Sequence, residues 1–199
     1  MYTIKFYKNE SRIDGYGLFA GEFVPKGTIA YYYSNSDTYL SKNEFQSLPE
    51  NKKEQLCKYG VEDEAGNWLV TDGDANHSCD ANILSLFIDS LYCDIAVKDI
   101  HIDDEITIDY GLFYSSVPWR MTCNCASPLC RKTIVSGLPV DIQTQKFWFS
   151  RISEASSHIF DVEQRLFSHE DERAKALTKS IKSRKCPKIF PYIKFSLIH

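Results

Sequence analysis

The run Asn76-His77-Ser78-Cys79-Asp80-Ala81-Asn82 stands directly before Ile83-Leu84-Ser85-Leu86-Phe87-Ile88. The second segment is rich in β-branched and aromatic residues and predicts a strand. The first is polar and reads as the turn that feeds it. Its composition is unusual for a turn, with a histidine and a cysteine between two asparagines. Residue type alone leaves His77 open as a satisfied core residue or as a ligand.

Working outward, Tyr92 to Val97 and Glu105 to Tyr110 also read as strands, and Asp89-Ser90 suits a hairpin turn. Upstream, Tyr2 to Tyr7, Thr28 to Tyr33 and Trp68-Leu69-Val70 have the same character. Gly15, Gly17, Gly21 and the turn Pro25-Lys26-Gly27 punctuate them. Leu40 to Lys58 carries polar helix formers and predicts a small helical insert. No βαβ spacing is present, which argues against a doubly wound sheet. A dinucleotide-type glycine loop opens a helix, whereas Gly15-Tyr16-Gly17 runs into the strand-like Leu18-Phe19-Ala20. The expectation is a mostly β fold with some α.

The last third changes character. Ile152, Ala155, Ile159, Val162 and Leu166 recur at helical spacing and predict one apolar face. The run is too short for a coiled coil, so the face is expected to pack on the body of the same chain. A second helix is expected over Asp171 to Ser183, and Pro187 and Pro191 end regular helix beyond it.

Cys123, Cys125 and Cys130 place three thiols within eight residues. A structural zinc takes four ligands in a tetrahedron, so this triplet needs a distant fourth. Composition offers Cys57, Cys79, Cys93, Cys186 or a histidine. The N-terminus, Met1-Tyr2-Thr3-Ile4-Lys5-Phe6, has neither the charged start nor the apolar run of a signal peptide. No stretch approaches the roughly 20 apolar residues of a membrane span. The expected setting is intracellular, cytoplasmic or nuclear, with no membrane partner. Seven cysteines there point to thiols or metal rather than disulfides.

Charge is unevenly distributed. From Arg173 onward there are eight basic residues and no acidic one; taking these from the 23 basic residues leaves 15 against 27 acidic, a net of -12 for the preceding body. An acidic body concentrates a basic substrate near its surface. The basic tail suits docking on that body, contact with nucleic acid or another acidic partner, or a solvated helix; the apolar residues Ile189, Phe190, Tyr192, Ile193, Phe195, Leu197 and Ile198 favour docking, with Lys175 to Lys188 left partly free.

Four segments together closely resemble the SET-domain protein-lysine methyltransferases. Asn76 to Asn82 resembles the N-H-S-C-x-P-N signature, with Ala81 where proline is usual. Ser11 to Ala20, which contains the Gly15-Tyr16-Gly17 loop, looks like the opening motif. Glu105-Ile106-Thr107-Ile108-Asp109-Tyr110-Gly111 looks like the closing motif. The cysteine triplet, with Arg131 next, matches the post-SET zinc motif. The family order is kept over about residues 1–135. Two features of the better-known histone enzymes are missing: Gly73-Asp74-Ala75 replaces the arginine and aromatic residue often found before the signature, and no cysteine-rich segment precedes the domain.

The resemblance implies a fold of small β-sheets in which the closing segment threads beside the signature. It implies a SET domain over 1–116, a post-SET zinc-binding segment over 117–135, and a C-terminal helical extension with the basic tail over 136–199. The implied cofactor is S-adenosylmethionine, met by Gly15, Tyr16, Gly17, Asn76 and His77, and by Tyr59 on a looser alignment. Cys79 is the implied fourth zinc ligand, Tyr110 the catalytic tyrosine, and Ile108 the position that governs how many methyl groups are added. The implied reaction is methylation of a lysine side chain in a protein, a histone tail being one candidate. The alternatives are a non-histone protein or other amine, and a catalytically silent SET module that binds a partner.

Overall fold

The computed structural model describes residues 1–63, 65–70, 75–89, 91–113, 119–135 and 140–183, with the backbone alone for residues 58 and 59. The main sheet is built around the hairpin of β8 (Ile83–Ile88) and β9 (Leu91–Ala96), paired antiparallel from Ile83↔Ala96 to Ile88↔Leu91. Asp89 enters the two-residue turn at φ 50°, the left-handed geometry such hairpins favour; Ser90 lies outside the described residues. β3 (Ile29–Tyr32) adds to β9, and β10 (Glu105–Ile108) joins β8 to β2 (Tyr16–Ala20), which pairs with the edge strand β1 (Phe6–Glu10).

Two expected strands differ in extent. The first segment joins the sheet only from Phe6, because Tyr2 instead makes a lone bridge to Tyr31. The closing segment leaves strand geometry at Asp109, whose side chain accepts from the Gly111 N–H and turns Tyr110–Leu112 into a 3₁₀ coil. β7 (Asn76–His77) lies parallel beside β10, with Thr107 opposite Asn76 and Ile108 opposite His77. Signature and closing motif are thus adjacent although about thirty residues separate them, as the resemblance implies.

The predicted insert is present. β4 (Tyr39–Leu40), α1 (Lys42–Gln46), α2 (Glu50–Tyr59), β5 (Val61–Glu62) and β6 (Trp68–Leu69) form a small subassembly with a three-stranded sheet. Ser41 and Glu44 close a reciprocal capping box at the start of α1. Phe45 stacks on the buried Trp68 at 4.4 Å between centroids. β11 (Arg120–Thr122) and β12 (Thr133–Val135) form a separate ribbon that brackets the cysteine triplet.

Period-two alternation gives the central hairpin two buried faces. Leu84, Leu86 and Ile88 with Cys93 and Ile95 face one core, together with Trp148, Ile152 and Ala155 of α3 (Ile142–Ser157) and Ala174, Leu177 and Ile181 of α4 (Glu172–Ser183). The opposite face meets Ile83, Ala96 and Ile106 in a second core, and Tyr92 with Tyr110 in a third. The apolar helix face therefore packs on its own chain, as expected. Its boundaries differ from the periodic reading: α3 starts ten residues before Ile152 and stops at Ser157. Ile159 is buried from the turn after α3, and Leu166 from a short 3₁₀ helix, Arg165–Ser168. Gln164 fixes that stretch by donating to the Gly27 and Ile159 carbonyls and accepting from the Ile29 N–H, at 2.8 to 3.0 Å. Periodicity cannot register such a polar tether. Among the described residues no helix is long and apolar enough to cross a membrane.

Candidate active site and metal centre

β2 and β7 both run along β10, and this brings the glycine loop to the signature. Gly15, Tyr16, Asn76, His77 and Tyr110 line one groove of about 200 Å³, which Asp14 and Thr122 also border. Gly15 holds φ +44°, a conformation that costs a residue with a Cβ. Gly17 lies one step along β2, and a Cβ there would stand 2.3 Å from Glu105 Oε1. Its missing side chain therefore makes room for Glu105, a constraint the motif reading did not contain.

Asn76 ties the loop to β10. Its amide nitrogen donates towards the Asp14 and Tyr16 carbonyls at 3.1 Å and towards Glu105 Oε1 at 2.9 Å. Ser11 donates to the same Glu105 oxygen at 2.7 Å. Glu105 thus organises the glycine loop from beneath. It sits within the closing motif, yet nothing in its local pattern assigns it that part.

Tyr110 is 5% exposed. Its hydroxyl donates to the Ala75 carbonyl at 2.9 Å and its backbone N–H donates to His77 Nδ1 at 3.1 Å. The second contact sets the tautomer: Nδ1 accepts, so the His77 proton sits on Nε2, which faces Cys79 Sγ at 3.3 Å. Burial lowers the His77 pKa to about 4, against the opposing pull of Asp109, and the ring is neutral. Ile108 is half-buried between the second and third cores, the third of which holds Tyr110. Tyr59 ends α2, and its side chain lies outside the described ones.

The four cysteines converge. Sγ atoms of Cys79, Cys123, Cys125 and Cys130 all lie within 4.8 Å of one another, and Cys79 and Cys123 are 3.8 Å apart. A tetrahedron with bonds of roughly 2.3 Å has edges of about 3.8 Å, so the donor set fits a zinc-sized ion. Backbone N–H groups of Arg131 and Lys132 point at Cys79 Sγ and Cys130 Sγ at 3.3 and 3.4 Å, as they would at thiolates. Without a cation the thiols are poorly matched. Burial raises Cys79 and Cys123, whereas at Cys125 hydrogen bonds from the backbone and from the Cys123 and Cys130 thiols outweigh burial and lower the pKa to about 7. A divalent ion is what stabilises four thiolates in one place. Cys57 and Cys93 are buried elsewhere.

Asp109 joins these features. It is 1% exposed, and it accepts from the Arg131 guanidinium, from the Gly111 N–H at 3.0 Å and from Trp148 Nε1 at 2.8 Å. Arg131 lies over the Trp148 ring at 5.4 Å. The closing motif, the cysteine segment and α3 thus meet at one carboxylate. Asp109 and Arg131 fall inside the motifs the sequence displays, but Trp148 has no local signal because its partner is 39 residues away.

Residues 15–111 match the SET domain family. The chain carries a SET domain. The chain is homologous to histone-lysine methyltransferases: it is 26% identical over 141 residues to "Putative histone-lysine N-methyltransferase 1" of Plasmodium falciparum, covering 64% of this chain and 2% of that protein. The chain therefore spans only a small fraction of that relative's length. Among solved structures, KRYPTONITE in complex with mCHH DNA, an H3(1–15) peptide and SAH has a TM-score of 0.50 at 18% identity, over 67% of this chain and 30% of the other. That likeness is one of fold. The SET fold accounts for the parallel β7–β10 pairing and for the shared groove of glycine loop, signature and tyrosine.

Proposed function

We propose that this SET domain transfers a methyl group from S-adenosylmethionine to the side-chain amine of a protein lysine, with one structural zinc held by Cys79, Cys123, Cys125 and Cys130. The observation that carries this reading is the buried Tyr110 hydroxyl on the groove shared by Gly15, Tyr16, Asn76 and His77. The groove is smaller than the roughly 300 Å³ at which drug-sized ligand pockets begin, so it suits one end of the cofactor. Asp14 borders it, and a carboxylate there suits a cationic group. S-adenosylmethionine, when bound, supplies an electrophilic methyl on a sulfonium.

The chain's own residues do the rest. Tyr33, Tyr92 and Phe113 pack with Tyr110 in one aromatic core. A lysine amine entering such a low-dielectric region loses preference for its charged form, which in water persists to a pKa of about 10.4. The Tyr110 hydroxyl already donates to Ala75, so its oxygen lone pairs are directed to accept from the incoming amine. Holding that amine in line with the transferred methyl supplies much of the acceleration. Ile108 brings no hydroxyl to hold a water against the amine, which favours di- or trimethylation. The acidic body favours a basic substrate such as a histone tail, and the histone peptide in the KRYPTONITE structure and the name of the curated relative point the same way.

The test is transfer of labelled methyl from S-adenosylmethionine to a panel of histones and non-histone proteins, with lysine mapped by mass spectrometry. Label on lysine supports the reading. No label on any protein, from zinc-loaded chain that binds S-adenosylhomocysteine, would leave a partner-binding module.

A further inference from the structure

The strongest connection outside the motifs is the one that runs from α3 to Tyr110. Trp148 is fully buried, and its Nε1–H donates to Asp109 Oδ2 at 2.8 Å. The other carboxylate oxygen takes the Arg131 guanidinium and the Gly111 N–H. Asp109 directly precedes Tyr110 and caps the 3₁₀ coil that Tyr110 begins. The Tyr110 ring is therefore aimed by three anchors: its hydroxyl on Ala75, its N–H on His77, and the coil geometry set by Asp109. Among these three, the last is the one that connects to α3.

We infer that Trp148, on a helix beyond the cysteine segment, is a positioning residue for Tyr110 and acts through Asp109. Without its N–H, the buried Asp109 carboxylate keeps Arg131 but loses the donor that fixes its second oxygen. The carboxylate then has freedom to swing towards Arg131, carrying the coil with it. Displacement of a catalytic group by about 1 Å costs rate by as much as about 100-fold. Apart from Tyr110, the groove is lined by residues 13–16, β7 and residues 121, 122 and 124, and Asn76 ties the first two of these together without Asp109, so the cofactor's own contacts remain in place. The consequence is a helical extension required for turnover and not for cofactor binding. This inference rests on the proposed methyl transfer.

The experiment uses the full, zinc-loaded chain and two replacements at Trp148: W148F, and a site-specific benzothienylalanine that keeps the indole shape but has no N–H. I152A is the control, since Ile152 packs in the same core from the same helix and its aliphatic side chain has no hydrogen bond to give Asp109. Tyr110 carries 3-fluorotyrosine as a probe independent of activity, its ¹⁹F resonance assigned by Y110F. The expected result is a fall in kcat of about 10- to 100-fold for both Trp148 replacements, with the KM for the protein substrate and the affinity for S-adenosylhomocysteine within about 2-fold. Their Tyr110 resonance shifts. I152A melts lower, yet keeps its kcat and its resonance. If W148F fails to fold, the isostere carries the test alone. An unchanged kcat and resonance in the isostere overturns the inference. The same loss and shift in I152A also overturns it, by making the effect general loosening. If the wild type transfers no methyl, the proposed function falls, and the resonance still decides whether Trp148 positions Tyr110.

Discussion

Tyr110 and Asn76 occupy one groove but hold it in different ways. Tyr110 contributes a hydroxyl whose loss leaves the walls intact, so Tyr110→Phe should lower turnover by about 100-fold, the scale of one preorganised polar group at a reacting centre. Calorimetry should find binding of S-adenosylhomocysteine nearly unchanged. Asn76 is structural as well, since its amide joins two carbonyls of the glycine loop to Glu105. Asn76→Ala should weaken the cofactor and also lower the unfolding free energy, by about 1–3 kcal/mol of lost or stranded hydrogen bonds. Cofactor affinity lost at unchanged stability would contradict the tether. Both residues were legible in the sequence because each sits in a short local motif. Glu105 and Asp109 were visible but silent, since what defines them is a partner brought near by folding. Trp148 was invisible for the same reason in stronger form.

At the scale of elements, strands with continuous apolar runs were read almost to the residue, as β8 shows, because alternation and turn chemistry are local. The start of α3 was missed because its cap, Asp141, precedes a turn of helix with few apolar residues. The ribbon of β11 and β12 brackets three of the four cysteines of the proposed zinc site, so Cys125→Ser or chelation should remove the zinc and lower the melting temperature together; elemental analysis alongside a thermal melt checks this. Full stability in a metal-free protein would dismiss the site. Asp94 on β9 gives a second test. Burial raises its pKa from 3.8 to about 6, against hydrogen bonds from Ser85 and Tyr92 and the pull of the N-terminal amine. Its folded pKa lies above the unfolded one, so its contribution is fully present below about pH 4 and is lost as pH rises through 6. Asp94→Asn should therefore be more stable than wild type at pH 8, by at most about 3 kcal/mol, and equal to it at pH 4. Melts at the two pH values decide; a variant less stable at pH 8 contradicts the assignment.

Across the whole molecule, the C-terminal helices complete the core. Leu177 and Ile181 of α4 share one cluster with Leu84 and Leu86 of the central hairpin. The start of the basic tail is spent on the chain's own surface: Arg173 lies over Tyr33 and Tyr39, Lys175 pairs with Glu170 and Glu172, and Lys182 lies over Phe167. The expectation was docking through the apolar end, Ile189 to Ile198, with Lys175 to Lys188 left partly free; that end lies within residues 184–199, outside the described ones. Leu177→Ala should cost about 2–5 kcal/mol in a denaturant melt, with cofactor affinity changed less than about 2-fold. A loss of affinity without loss of stability would place α4 at the groove instead.

The central claim joins one tyrosine to one reaction. It is tested most directly by incubating zinc-loaded wild type and Tyr110→Phe with labelled S-adenosylmethionine and a lysine-containing histone tail, and reading methyl-lysine by mass spectrometry. Methyl-lysine is expected from the wild type and almost none from the variant, at equal S-adenosylhomocysteine binding. Equal methylation by both proteins would contradict it.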